Sequence, residues 1–141
     1  MGINTIAVSL ALIISTFVIW RFNRFKGQQQ MRYYAWLLAT FPLYYFAFAL
    51  FVPDGSVLVK EVGVSILFFL LVALALRVKP TLAAMILAVG YLLHAGYDLS
   101  HDELFINPGM PRWWPLFCGG VDGIIGLYLL HQVYRTPACK T

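Results

Sequence analysis

The sequence predicts an all-α integral membrane protein, a five-transmembrane-helix bundle in a single domain. Of its 141 residues, 61% are hydrophobic and 11% are charged, whereas about a quarter of the residues in a soluble domain are charged. Five apolar stretches approach the length of about 20 residues that a helix needs to cross the hydrocarbon core. Basic and acidic residues alternate between the connectors. The formal net charge of +4 therefore indicates membrane topology, and no nucleic-acid partner is predicted.

The predicted spans cover residues 3–20, 33–52, 57–76, 80–100 and 113–134 of the single domain 1–141. No basic segment precedes the first span and no small-residue cleavage pattern follows it, so we expect a helix that is retained. The turn sequence of residues 53–56 separates the second span from the third. Pro80 suits the first position of the fourth span, and the longest outer loop, residues 101–112, precedes the fifth.

The basic residues orient the bundle, because short cytoplasmic connectors are enriched in Lys and Arg. With five spans, the bases on one side are Arg21, Arg24, Lys26, Arg32, Arg77, Lys79, Arg135 and Lys140, and those on the other are Lys60 and Arg112. The acids Asp54, Glu61, Asp98, Asp102 and Glu103 fall at the ends opposite the larger basic set. This alternation predicts an N-terminus outside the cytoplasm and a C-terminus inside it.

Ionisable residues occur within two of the predicted spans, where they are costly and therefore functional candidates. His94, Asp98 and His101 are spaced i, i+4 and i+7, which places them on one face of the fourth helix. Asp122 in the fifth span lies roughly 13 Å below the outer interface, a depth close to that of His94. Consecutive antiparallel helices are usually neighbours. The sequence therefore predicts that Asp122 lies beside His94 and Asp98.

Further residues are candidates for the edge of this cluster. Glu61 enters from the outer end of the third span and shares a face with Ser65. Tyr44 and Tyr45 are candidate hydroxyl donors from the second span. Cys118 lies on the Asp122 face, and we expect it to act as a small buried hydrophobe. Cys139 lies in the tail, so no disulfide with Cys118 is predicted.

The residue types leave several chemistries open. His94, Asp98, His101, Asp122 and Glu61 suit a divalent metal such as zinc, iron or manganese. His94, Asp98 and Asp122 also suit metal-free acid–base catalysis, in which a histidine shares a proton with a buried carboxylate. A proton or ion path is a third reading, and hydrogen bonds that only hold helices together are a fourth.

Two motifs in the fourth and fifth spans carry a resemblance. H-x-x-[YW]-D-x-x-H runs from His94 to His101, and P-x-F-C-x-x-x-D runs from Pro115 to Asp122. Together with LLATFPLYYFAFAL and the following Lys-Glu pair, these motifs resemble an uncharacterised group of small bacterial inner-membrane proteins. The resemblance covers most of the chain. It implies a multi-pass protein of the bacterial inner (plasma) membrane and brings no assigned activity.

A more distant similarity is to the emopamil-binding sterol isomerases. Those proteins have H-x-x-x-E in one span and a further acid in a later one, and they move protons on a lipid-like substrate. His94 and Asp98 match the first element, with Asp in place of Glu, and Asp122 matches the second. The similarity implies acid–base chemistry for such a cluster.

The leading functional hypothesis is a membrane-embedded enzyme that acts on a lipidic or hydrophobic small molecule near the outer face. Its site is predicted to contain His94, Asp98, His101 and Asp122, with Glu61 as an auxiliary. One alternative is a non-catalytic accessory subunit of a larger membrane complex. Another is a small proton-coupled transporter, which would need a homo-oligomer because five helices enclose only a narrow cavity.

Overall fold

The structure is a computed structural model that describes residues 2–135, and within this range it contains five α-helices and no β-strand. The helices are α1 (Ile3–Phe22), α2 (Gly27–Ala49), α3 (Gly55–Ala75), α4 (Pro80–Leu104) and α5 (Trp114–Arg135). The predicted all-α fold is confirmed. The predictions made for Cys139 and Lys140 lie outside the described residues.

Four of the helices, α1, α3, α4 and α5, are long and apolar enough to cross a membrane. The remaining helix, α2, has 23 residues, which is about 34 Å at the helical rise. It begins at Gly27 rather than at the predicted residue 33, so its first turns include three glutamines and Arg32. These residues were assigned to a connector because they are polar, but Gln and Arg are good helix formers.

The fourth helix also extends beyond its predicted end. It continues to Leu104, and the extended backbone of Phe105 ends it. Residues 101–104 contain no proline or glycine to stop the helix, and the turn sequence begins only at Asn107. His101 therefore lies in the last turn of α4 rather than in the loop.

The central element of the bundle is α4, which contacts α2, α3 and α5, while α1 packs chiefly on α5. Buried residues recur at every third or fourth position of α4, as expected for a helix with one buried face. They are Ala83, Ala84, Leu87, Ala88, Gly90, Tyr91, His94, Ala95, Asp98 and His101. The same stripe thus supplies apolar core at one end of the helix and ionisable groups at the other.

Glycines let α5 approach α4 closely. A Cβ added at Gly126 would lie 2.9 Å from Leu92 Cγ and 3.2 Å from the Leu92 nitrogen. A Cβ at Gly119 would lie 3.3 Å from that of Asp98. The small residues therefore bring the backbone of α5, and with it Asp122, against the polar part of α4.

Two connectors lie at the same end of the bundle, which we call the loop end: the turn between α2 and α3 and the loop between α4 and α5. The Asp54 side chain caps α3 by accepting a hydrogen bond from the Ser56 N–H at 2.9 Å, and this bond lowers the pKa of the Asp54 carboxyl. In the longer loop, Gly109 lies so close to the Phe48 carbonyl that a Cβ would collide with it. The loop therefore packs directly against the end of α2.

Candidate active site

Five Asp, Glu and His side chains are buried within the described residues, and they are the five that the sequence predicted for the site. Glu61, His94, Asp98, His101 and Asp122 are each at most 1% exposed. The remaining acids and His131 are exposed. An unpaired buried charge costs several kcal/mol, so the arrangement of these groups decides which protonation states they can adopt.

Three of the five form a deep group, defined as His94, Asp98 and Asp122. His94 Nδ1 lies 2.8 Å from Asp122 Oδ2 and 3.3 Å from Asp98 Oδ2. One ligand atom from each of the three residues lies within 4.8 Å of the others. The i, i+4 spacing on α4 and the close approach of α5 thus bring the three residues together as the sequence predicted.

The surroundings of the His94 ring fix its tautomer. Nδ1 faces two carboxylates, which are acceptors when ionised, so Nδ1 carries a proton. Nε2 is buried and has no hydrogen-bond partner within residues 2–135. The Phe68 ring packs edge-on at 4.6 Å between centroids, and the Phe41 ring lies at 5.8 Å. Nε2 is consequently the one polar ring atom that is free to take a proton or to bind a ligand.

The deep group contains more negative than positive charge when both carboxyls are ionised. Two carboxylates beside a single imidazolium leave one negative charge in a buried site, which a low-dielectric environment disfavours. Both Asp122 oxygens are buried and accept no well-oriented hydrogen bond within the described chain. A shared proton or a bound cation would relieve this charge. Imidazole and carboxylate ligands suit zinc, iron or manganese.

The other two residues belong to a separate cluster nearer the loop end, which we call the loop-end group: Glu61, His101, Tyr97 and Asn107. His101 Nε2 lies 2.9 Å from Glu61 Oε1, and the Asn107 amide donates to the same oxygen at 2.9 Å. Tyr97 donates its hydroxyl to Glu61 Oε2 at 2.7 Å. Three partners thus satisfy the Glu61 carboxylate, which the sequence predicted as an auxiliary member of the site.

The two groups meet at Tyr45 of α2. Its hydroxyl donates to Asp98 Oδ1 at 2.6 Å, and its ring stacks on His101 with centroids 4.9 Å apart. Its backbone carbonyl also faces the Asn107 amide at 3.5 Å. One side chain therefore contacts both groups, while Tyr44, the other predicted hydroxyl donor, is 44% exposed.

The structure therefore divides the predicted ligand set in two. The deep group holds three of its members, and His101 and Glu61 pair with each other instead. Tyr97 and Asn107 are contacts that the sequence analysis missed, because neither is charged. A signal was present for Tyr97, which lies three residues after His94 and four before His101, on the same side of the helix.

Cys118 is fully buried, as expected of a small hydrophobe. Lys60 lies over the ring of Phe105, 5.5 Å from its centroid. His131 is exposed near the far end of α5. These three residues lie outside both polar groups.

An apolar cavity of about 190 Å³ lies between α1, α2 and α5, and no residue of the deep group lines it. Its lining includes Phe41, which contacts His94, and Val121, which precedes Asp122. Trp114 and Phe117 of α5 form the wall nearer the loop end. The Phe41 ring therefore lies between the cavity and the imidazole.

Comparison of the chain with models of protein families, with curated proteins and with solved structures found no match.

Proposed function

We propose that this protein is a membrane-embedded enzyme that moves a proton on a lipidic or other hydrophobic small molecule, with His94 as its general base and acid. The observation that carries the proposal is the environment of the His94 ring. Nδ1 faces Asp122 and Asp98, whereas Nε2 is buried without a partner within the described residues. A carboxylate on one ring nitrogen orients the imidazole and stabilises the imidazolium, as general base catalysis by histidine requires.

In the proposed reaction, Nε2 takes a proton from the substrate and the two aspartates stabilise the resulting imidazolium. The same nitrogen then returns the proton to a different atom, so that the substrate is isomerised without a change of oxidation state. Tyr45 keeps Asp98 in place through its hydroxyl. The distant similarity to sterol isomerases agrees with this class of reaction.

The apolar cavity next to Phe41 supports the proposed substrate class. This cavity is lined mostly by aromatic and aliphatic side chains, and Phe41 separates it from the His94 ring. A polar substrate would lose hydrogen bonds to water on entering this space, at a cost of a few kcal/mol. An apolar segment of a lipid makes no hydrogen bonds to water and would enter without this cost.

The proposal includes a topology of five spans in the bacterial inner membrane, with the N-terminus outside. The loop end then faces the outer side, and both polar groups are reached from there. Helix α2 is long enough to cross, and its polar first turns would lie at the cytoplasmic interface.

A divalent metal is the second way in which the deep group would act. His94, Asp98 and Asp122 supply a ligand set for zinc, iron or manganese. A metal held by all three would replace the proton on His94 Nδ1, the nitrogen that faces the two carboxylates. His101 and Glu61 were also predicted as ligands, but they pair with each other and would make no bond to this metal. The metal content of the purified protein distinguishes this chemistry from simple proton transfer.

A proton-coupled transporter fits the distribution of groups less well. The buried Asp, Glu and His side chains occupy only the half of the bundle near the loop end, and the other half holds apolar residues, tyrosines and amides. A path across the membrane would need titratable groups in both halves.

The test compares wild-type protein with His94→Gln and Asp122→Asn. Lipid extracts of cells that express each variant are analysed by mass spectrometry, and the purified proteins by elemental analysis. We expect the wild type to change the abundance of at least one pair of isomeric lipids, and each variant to abolish that change, because either loses about 10²–10⁴-fold of general base catalysis.

His131→Gln is the matched control, since this histidine is exposed and far from both groups. It should behave as wild type. Identical lipid profiles for wild type and folded His94→Gln protein would contradict the enzyme. Co-purification of another polypeptide in mild detergent would instead support the accessory subunit, and stoichiometric metal lost in His94→Gln would support the metal site.

A further inference from the structure

A second cavity, of about 530 Å³, is an open depression formed by the end of α4 and the loop between α4 and α5, and most of its lining residues are exposed. It has the size of typical small-ligand sites, which range from roughly 300 to 1,000 Å³. Its lining combines two opposite charges with one buried amide and three apolar side chains. The lining residues are Asp102, Ile106, Asn107, Pro108, Met110 and Arg112.

The two charged residues line the same cavity without pairing with each other. No ion pair joins Asp102 to Arg112 among the described residues, and the carboxylate of Asp102, whose side chain is 76% exposed, instead lies 3.8 Å from His101 Nδ1. That nitrogen is buried and makes no hydrogen bond within residues 2–135. A purely anionic ligand would be repelled by Asp102, and a purely cationic one by Arg112. A ligand that carries both charges matches the lining.

We infer that this cavity binds the zwitterionic headgroup of a phospholipid, with a primary ammonium at Asp102 and a phosphate at Arg112. Guanidinium groups bind phosphate through paired hydrogen bonds. The next residues, Trp113 and Trp114, are of the type that lies at the headgroup level of a membrane. The inference deepens the proposed function and rests on it, because it names the headgroup of the lipid on which the site would act.

The position of the two cavities supports a lipid rather than a soluble zwitterion. Arg112 lines the headgroup cavity, and Trp114, two residues later, lines the apolar cavity together with Phe41, whose ring contacts His94. A lipid with its headgroup in the first cavity can direct its apolar part toward the second. Asn107 also connects the headgroup cavity to the buried Glu61, to which its amide donates.

The experiment measures which lipids the purified protein retains. Protein in detergent is incubated with an equimolar mixture of phosphoethanolamine and phosphoglycerol lipids with identical acyl chains, and the bound lipids are counted by mass spectrometry. We expect the wild type to prefer the ethanolamine headgroup about tenfold, because its ammonium forms a charge-assisted hydrogen bond with Asp102. Asp102→Asn should bring the ratio near one, and Arg112→Gln should lower retention of both lipids about tenfold.

Glu103→Gln and Lys60→Gln are the matched controls. They remove exposed charges of the same signs near the same end of the bundle without touching the cavity, and they should keep the wild-type ratio. A wild-type ratio near one, or an unchanged ratio in Asp102→Asn, would overturn the inference. So would displacement of the lipid by equimolar glycerophosphoethanolamine, since the site would then take a soluble zwitterion.

One further variant separates this inference from the proposed function. His94→Gln should retain the headgroup preference, because His94 lies outside the cavity, although it should lose the change in the lipid profile. If the profile depends on His94 while the wild type shows no headgroup preference, the proposed function stands and the headgroup site is wrong. If the preference is present but the profile never changes, the binding site stands and the enzyme is wrong.

Discussion

Tyr45 makes three different contacts from a single position on α2. Its hydroxyl donates to Asp98, its ring stacks on His101, and its carbonyl faces the Asn107 amide. Of these three contacts, a change to phenylalanine removes only the hydrogen bond from the hydroxyl to Asp98. This separation makes Tyr45 the most informative residue for asking how the deep group depends on its surroundings.

We predict that Tyr45→Phe destabilises the protein by about 1–3 kcal/mol, because a buried carboxylate oxygen loses its donor while the ring packing is kept. The free energy of unfolding can be measured by titrating folded protein in mild detergent with a denaturing detergent. Tyr44→Phe is the control, since that side chain is 44% exposed and should change stability by less than about 0.5 kcal/mol. Equal effects of the two substitutions would show that the Asp98 bond contributes nothing.

The sequence predicted the charged members of the site better than their partners. The i, i+4 spacing of His94 and Asp98 and the depth of Asp122 follow from helix geometry, and the structure brings these three residues together. The pairing of Glu61 with His101 depends on how α3 packs on α4. Helical spacing within one segment carries no information about that packing, so the division into two groups could not be predicted.

At the level of elements, the packing of α4 against α5 positions Asp122. Gly126 and Gly123 both lie on α5, but their surroundings differ. A Cβ at Gly126 would meet the side chain and backbone nitrogen of Leu92 at 2.9 and 3.2 Å, whereas one at Gly123 would lie 4.0 Å from the Cβ of Ala95. The same substitution at the two positions therefore tests the closeness of the helices.

We predict that Gly126→Ala lowers stability by about 1–3 kcal/mol relative to Gly123→Ala, because the backbone of Leu92 cannot move aside without shifting α4. Both variants gain the same helix propensity of roughly 1 kcal/mol from alanine, so their difference isolates the contact. Thermal unfolding in detergent measures it. If the two variants unfold at the same temperature, the helices are farther apart than described.

The ends of the elements were harder to predict than their existence. The start of α2 was predicted late because its first turns are polar, and the end of α4 was predicted early because His101, Asp102 and Glu103 resemble a loop. Hydropathy locates the part of a helix that lies in lipid. It does not detect turns that continue into the interface, where polar residues keep helical hydrogen bonds. The second error left His101 at the start of a loop, although its spacing from His94 and Asp98 had indicated the buried face of the helix.

The whole molecule is asymmetric along the bundle. The loop end holds the buried acids and histidines, whereas the opposite end has a cluster of amides and a hydroxyl, in which Asn23 accepts hydrogen bonds from Gln30 and Tyr128. Apolar core separates the two ends. The buried acids and histidines therefore lie toward one end of the bundle, and the side of the membrane that this end faces depends on whether α2 crosses.

The topology prediction can be tested at the two ends of α2, since its status decides between five spans and four. Single cysteines are introduced as Gln29→Cys and Ser56→Cys, both at exposed positions, in a chain whose Cys118 and Cys139 are replaced by serine. We expect a membrane-impermeant maleimide to label Ser56→Cys in intact cells, and Gln29→Cys only after the cells are permeabilised, because positive connectors stay in the cytoplasm.

Each other outcome of the labelling has a definite meaning. Labelling of both cysteines from the same side would mean that α2 does not cross, and the five-span topology would be wrong. The reverse pattern would keep five spans but place the loop end in the cytoplasm, so that the proposed headgroup site would face the inner leaflet. Because the basic connectors between α1 and α2 and between α3 and α4 lie at the end opposite the loop end, we expect neither result.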